Sequence, residues 1–325
     1  MGGNYMTKEQ VLNSDALKRR FIKDCNLPIS LTDNPYFMER LELQNLFTDA
    51  TDKFDRFCKT LEPFKNEQEY FEYYRYLKES IIEDIKASAG FERFNKYNFD
   101  HTSIFTKRDL YKEFNDDCLF ISIDMVQANF NVLNFFDTSI FAYEDGSPCE
   151  CWEDFIGQYT KDKHFAESKY IRQVILGNCN PKKQIQYQDY LMNILAEHIH
   201  NELPTVDIYS VHNDEIILKA DKIDGTCKFD IALFELEDII ECAPYYIGEL
   251  VRTDIFELHK IPNSNGWIKT SYDEEEPQFK CLEVETYNQY IKHYYGIPIV
   301  ENDLVFRHNG RLARFLEGVD NPWET

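Results

Sequence analysis

Apolar residues recur at helical spacing through the first hundred residues of the chain. Lys8 to Lys23 mixes charged and apolar side chains with that period, and Phe37 to Phe47 continues it. Glu67 to Ala87 sets Tyr70, Phe71, Tyr74, Tyr76, Leu77, Ile81, Ile82 and Ile85 on one broad stripe, which predicts a long amphipathic helix. The period then changes. Cys118-Leu-Phe-Ile-Ser-Ile-Asp124 is a continuous apolar run of strand length that ends in an acid, the pattern of a buried strand. Residues 127–136 return to helical spacing through Asn129, Val132, Leu133 and Phe136. A turn follows at Asp145-Gly-Ser-Pro148, and 151–176 read as helix. Gly177-Asn-Cys-Asn-Pro181 breaks that helix, and Pro181 suits the first turn of another that runs to about His200.

Beyond that point the pattern favours strands. Thr205–Val211 and Glu215–Ala220 predict a hairpin, Lys228–Leu236 a third strand, and Leu250–Ile261 and Trp267–Tyr272 two more. A short helix over 285–295 precedes a last hairpin around His308-Asn-Gly310. Helices first, then strand, helices and hairpin, then mixed β structure make an α+β fold, not a doubly wound parallel sheet. The expected organisation is a helical region over 1–100, a core over 101–250 with short helices at 151–200, and a β-rich region over 251–325.

Composition narrows the function. The 325 residues are 43% apolar with only 12 Gly and 11 Pro, enough for a substantial core and too few breakers for a linker-rich chain. A net charge of −23 argues against indiscriminate binding to nucleic acid or anionic membranes. No apolar run approaches a membrane span. The nine cysteines form no even framework and no signal peptide is evident, so reduced thiols in the cytoplasm are expected, the host's if the chain is viral. Within this acidic chain, residues 161–183 carry Lys161, Lys163, Lys169, Arg172, Lys182 and Lys183 against Asp162 and Glu167. That island is either a solvated helix face or a binding surface for phosphate.

Two acidic positions frame the island. Asp124 ends the first strand, and Asp214 and Glu215 sit at the tip of the expected hairpin. Phosphoryl transfer with two divalent ions needs carboxylates fixed on neighbouring strand ends, and Mg²⁺, with Mn²⁺ as a substitute, takes carboxylate and carbonyl oxygens. Asp124, the Met125 carbonyl and Asp214 would hold metal, and Glu215 would support them. The island would neutralise a triphosphate. Each acid alone is more simply a cap or a turn residue; the ordered set of strand acid, basic helix and acidic hairpin carries the chemistry.

Asp124-Met-Val-Gln-Ala-Asn-Phe-Asn-Val-Leu133 resembles motif A of family A DNA polymerases, Asp-Tyr-Ser-Gln-Ile-Glu-Leu-Arg. Asp124 falls on the metal-binding Asp, Gln127 on the Gln, Asn129 on the Glu that screens the sugar and Asn131 on the Arg. Val211-His-Asn-Asp-Glu215 resembles motif C, Val-His-Asp-Glu, with Asp214 on the second metal ligand and Asn213 as an extra residue. An alternative alignment puts Asn213 on that ligand. Lys169 to Lys183 occupies the place of the fingers helix, with Arg172 matching its leading arginine. The motif B lysine and Asn-Phe-Gly are absent, which leaves Lys182 and Lys183 to substitute. The resemblance covers about residues 115–225. It implies a palm-like antiparallel sheet with helices on one face, nucleoside triphosphate substrates, a DNA or RNA primer-template contacted by His212 and Lys169, and N-terminal helices in a thumb-like role. An acidic surface implies a protein partner that supplies a basic clamp. A non-catalytic polymerase-like subunit and a metal-dependent nuclease are the competing readings.

Other chemistry is thinly represented. Cys149-Glu-Cys151 lacks a second pair at zinc spacing, and Glu197, His198 and His200 fit an exposed helix end. Asp273-Glu-Glu-Glu276 reads as a solvated loop. No phosphate-binding Gly-x-x-x-x-Gly-Lys loop and no Gly-x-Ser-x-Gly elbow is present.

Overall fold

The computed structural model describes residues 6–220 and 233–324. Six helices come first: α1 Lys8–Asn13, α2 Asp15–Asp24, α3 Tyr36–Gln44, α4 Ala50–Leu61, α5 Glu67–Ala87 and α6 Ala89–Lys96. The expected helix over Lys8–Lys23 divides at Ser14, whose hydroxyl accepts the Leu17 amide at 3.2 Å and caps α2. After β1, Cys118–Met125, come α7 Ala128–Phe136, α8 Trp152–Ile156, α9 Lys163–Glu167, α10 Lys169–Leu176 and α11 Pro181–Glu202. The expected helix over 151–176 is thus three short ones. Asp162 and Ser168 each turn a side chain back onto the amide of a following residue, His164 at 2.9 Å and Ile171 at 3.2 Å, and so start new helices. The hairpin β2 Asp207–Val211 and β3 Glu215–Ala220 lies where expected.

The strand expected over Lys228–Leu236 lies outside the described residues up to 232. From Leu233 the chain is helical, as α12 Leu233–Glu241. Leu236 and Ile240, one turn apart and buried, explain the helix: their spacing serves a face packed on α11. The chain closes with β4 Val251–Lys260, β5 Trp267–Ser271, β6 Gln278–Lys280, α13 Tyr287–Tyr294, β7 Val305–His308 and β8 Arg311–Arg314. The fold is α+β. No helix among the described residues is long and apolar enough to cross a membrane.

The main sheet has the order β2-β3-β1-β4-β5-β6, and its paired strands are antiparallel. Two connections each skip one strand: β1 to β2 passes β3, and β3 to β4 passes β1. This is the interleaved β-α-β-β-α-β arrangement. Alternation along β1 divides the two faces. Ile121, Ile123 and Met125, with Ile216 and Leu218, join a core shared with α5 to α7 and α10 to α12. Phe120 points the other way, with Ile217, Phe256, Leu258, Trp267 and Tyr209. Burying each such ring is worth about 1.5–3 kcal/mol.

That second face is partly covered by a strap, residues 105–112. The Val211 amide donates to the Thr106 carbonyl at 3.2 Å, the Arg108 amide to Ser210 Oγ at 2.8 Å, and the Tyr209 hydroxyl to the Asp109 carbonyl at 3.0 Å. Leu110 and Tyr111 pack on the rings beneath. The N-terminal helices have their own core around Phe21, Phe37, Phe54 and Phe57, and α5 spans both cores, giving Tyr70 to one and Tyr74 to Ile85 to the other.

Candidate active site

Asp124 is the seventh residue of β1, on the face turned away from the helices. Its direct cross-strand neighbours are Glu215 on β3 and Arg252 on β4. The hairpin tip is tied to the same strand end, because the Met125 amide donates to the Asp214 carbonyl at 2.8 Å. The tip closes on itself through the His212 amide and the Glu215 carbonyl, 2.7 Å apart. Asp124, Asp214 and Glu215, ninety residues apart in sequence, therefore meet at one end of the sheet.

Their charges are poorly balanced. The Asp124 carboxyl is pushed up from 3.8 to about 6, first by burial, then by Glu215 and Asp214 beside it; Arg252 and Lys169 oppose the rise. The Arg252 guanidinium is 4.0 Å from the Asp124 carboxylate and largely exposed, so its compensation is weak. Ser122, two residues before Asp124 on the same face, donates its hydroxyl to Glu215 Oε1 at 2.6 Å and fixes that carboxylate over the sheet. Asp254 faces Ser122 across β4; it accepts from the Ser271 hydroxyl and pairs with Lys269 at 2.9 Å. Hard carboxylate oxygens crowded at a strand end are the donor set that Mg²⁺ or Mn²⁺ prefers, and a divalent ion would relieve the repulsion that raises Asp124.

The other residues singled out in the sequence divide into two groups. Lys169, the first residue of α10, lies within electrostatic reach of Asp124. His212 sits at the hairpin tip, its ring Nε2 3.1 Å from Ser210 Oγ. Gln127 caps α7 in a left-handed conformation with φ 45°, and its carbonyl accepts the Phe130 and Asn131 amides. Asn129 Oδ1 accepts from Gln188 Nε2 at 3.2 Å, and Asn131 Nδ2 donates to the Val126 carbonyl. Arg172, Lys182 and Lys183 lie apart from the acids. Arg172 is buried, lowered by desolvation, with Glu153 as the charge facing it. Lys183 stands over the Phe99 ring at 5.3 Å, and Lys182 is exposed in the first turn of α11. Asn213 is turned outward, its Oδ1 taking a hydrogen bond from Lys107 at 2.6 Å.

Sequence reasoning missed Arg252, Lys269 and Lys280. All three lie on strands, and only the pairing register shows that they share the face of Asp124. A separate group, Asp116, Asp117 and His259, has ligand atoms within 4.8 Å at the opposite end of β1. His259 Nδ1 is already 2.8 Å from Asp117, and Asp116 accepts the Lys260 amide at 2.7 Å.

No family model, no curated protein and no solved structure matches the chain.

Proposed function

We propose that this protein is a palm-type nucleotidyltransferase that joins nucleoside triphosphates to the 3′-hydroxyl of a nucleic-acid strand. One observation carries the reading: the strand acid Asp124 and the hairpin acids Asp214 and Glu215 converge on the face of an antiparallel sheet opposite its helices. The interleaved strand order supports it, since that order brings the hairpin beside the strand that bears Asp124.

Asp124 and Asp214 would hold the divalent ions, with Glu215 buttressing them through its bond from Ser122. Divalent ions bound there supply stabilisation of the attacking and leaving oxygens during in-line displacement. Arg252 is close enough to Asp124 to leave it for a phosphate once a metal neutralises the acid. Gln127 and Asn129 line the start of α7 just past the strand, where a sugar would be screened. Replacing Asp124 with Asn tests the proposal in a primer-extension assay with Mg²⁺. Extension at the wild-type rate would refute it.

A second reading, a polymerase-like subunit that binds nucleic acid or an assembly without catalysis, has its own support: Arg172 is buried and Asn213 is drawn toward Lys107. Titration with Mn²⁺ separates the two. An enzyme binds it saturably and loses that binding in Asp214→Ala; a subunit shows neither.

A further inference from the structure

Two surfaces away from the acid cluster are unpartnered, and they carry opposite charge. The first lies between α12 and the start of β4. A cavity of about 580 Å³ there is lined by Glu237, Glu241, Glu249 and Tyr246, with Ile240 and Val251 as apolar lining. Its walls are drawn close together. A Cβ on Gly248 would lie 2.2 Å from the Ile240 carbonyl oxygen, so glycine is what lets the 3₁₀ segment Pro244–Leu250 pack against α12. Within that segment Tyr245 and Tyr246 hold left-handed backbone, with φ 59° and 57°, and they remain 67% and 73% exposed. That conformation is unfavourable for an aromatic residue, and here it buries neither ring. The three glutamates are exposed, and among the described residues none has an ion pair or a side-chain hydrogen bond. Arg252 also borders the cavity, but its guanidinium lies 4.0 Å from Asp124.

The second surface is the β7–β8 ribbon, which pairs with no strand of the main sheet. From Leu304 to Leu316 the sequence carries Arg307, Arg311 and Arg314 and no acid, in a chain of net charge −23. Two of these arginines are engaged. Arg307 reaches Asp33 at 2.5 Å and anchors the ribbon, and Arg314 pairs with the exposed Glu301 at 3.4 Å. Arg311, next to the Asn309-Gly310 tip and across from His308, has no ion pair or hydrogen bond among the described residues. Leu312 beside it and Leu316 at the ribbon's exit are exposed, the latter fully. A two-stranded ribbon with bare apolar residues and a free cation gains little by standing alone.

Arginine is the cation that such a cavity suits. Its guanidinium lies flat on a tyrosine ring while its edge forks onto a carboxylate. We propose that the protein self-associates head to tail: the Arg311 tip of one copy's β7–β8 ribbon enters the glutamate-and-tyrosine cavity between α12 and β4 of the next. A nucleic acid would satisfy the ribbon and leave the acidic cavity empty, whereas a second copy satisfies both surfaces. Two different surfaces meet, so each pair leaves one ribbon and one cavity free, and assembly continues into a ring or a chain. The docked ribbon lies beside Arg252, at the edge of the candidate active site. The contact does not depend on the nucleotidyltransferase reading.

Sedimentation velocity of the full chain at rising concentration tests it, at about 0.1 M salt and again at about 1 M, where the screening length falls from about 10 Å to about 3 Å. Wild type forms species larger than the monomer in the first and dissociates in the second. Arg311→Ala, and separately Glu237→Gln combined with Glu241→Gln, each weaken association about tenfold or more, the loss of a guanidinium held between carboxylate and ring. Mixing the two variants is the sharper arm. Each retains the surface that the other lacks, so the mixture forms a dimer and stops there, while either alone is largely monomeric. The substituted positions are exposed, and circular dichroism confirms folding. A wild type that stays monomeric overturns the proposal; if it then binds a duplex oligonucleotide that Arg311→Ala releases, the ribbon serves nucleic acid instead. Wild-type association in Arg311→Ala, or a mixture no larger than its components, overturns it as well.

Discussion

Asp124 and Glu215 face each other directly across β1 and β3, on the same side of the sheet, with Asp214 tied to the same strand end by its carbonyl. Like charges opposed in this way destabilise a strand pair. Here the repulsion is partly absorbed by Ser122 and Arg252 and is otherwise left in place.

Asp124→Asn should therefore separate function from stability. Primer extension falls by about a hundredfold or more, because a metal-holding carboxylate is lost. The melting temperature rises by no more than about 4 °C, since a half-buried charge and its repulsion disappear with it. A melting curve beside an extension assay reads both.

The raised acid fixes the sign of a pH dependence. Asp124 is pushed to about 6 in the folded chain against 3.8 ordinarily, so folding favours its protonated form. The metal-free protein is then favoured at low pH by this group and loses that contribution as pH rises from about 4 to about 6. Mn²⁺ competes with the same proton, so its apparent affinity drops as pH falls below about 6. Titrations across pH 5 to about 8 check the trend, and an affinity that stays level would contradict it.

The extra residue in the hairpin can be settled by substitution. With its side chain held by Lys107, Asn213 should be dispensable for metal: Asn213→Ala keeps Mn²⁺ binding within about threefold, whereas Asp214→Ala reduces it by about tenfold or more. The reverse result would make Asn213 the ligand.

A structural prediction concerns Asp303. It is 1% exposed and receives Arg40 at 3.1 Å, Lys292 at 2.7 Å, Asn288 at 3.1 Å and the Val300 amide at 2.7 Å, joining α3 to α13 and the C-terminal segment. Asp303→Ala leaves two cations without their anion and should cost about 3–5 kcal/mol, read from urea denaturation. Asp303→Asn should cost less, because the amide keeps part of the hydrogen bonding.

The parts of the fold legible in the sequence were those with a strong local period. The long helix α5, the strand β1, the Pro181 start of α11 and the β2–β3 hairpin all announce themselves within a dozen residues. Helices α4 and α6 fall within the helical region expected over 1–100, but the pattern set no boundaries for either. The three residues of β6 carry no period at all, because β5 recruits them through pairing. The site followed the same rule. The acids were legible because each ends or turns an element. Lys280 and Arg252 owe their position to strand register, a long-range property. Arg172 misled because its spacing fits a solvated or ligand-facing helix position, while packing against the neighbouring helices buries it.

The strap over 105–112 has a consequence for self-association. An exposed strand edge invites another chain to add to the sheet. On the β2 edge the Val211 amide donates to the Thr106 carbonyl and the Ser210 hydroxyl oxygen accepts from the Arg108 amide, so the chain has already used part of that edge on itself. A second copy approaching that part of the edge meets the strap first. The strap thereby blunts this edge of the hairpin that carries Asp214, one device by which sheets resist edge-to-edge pairing.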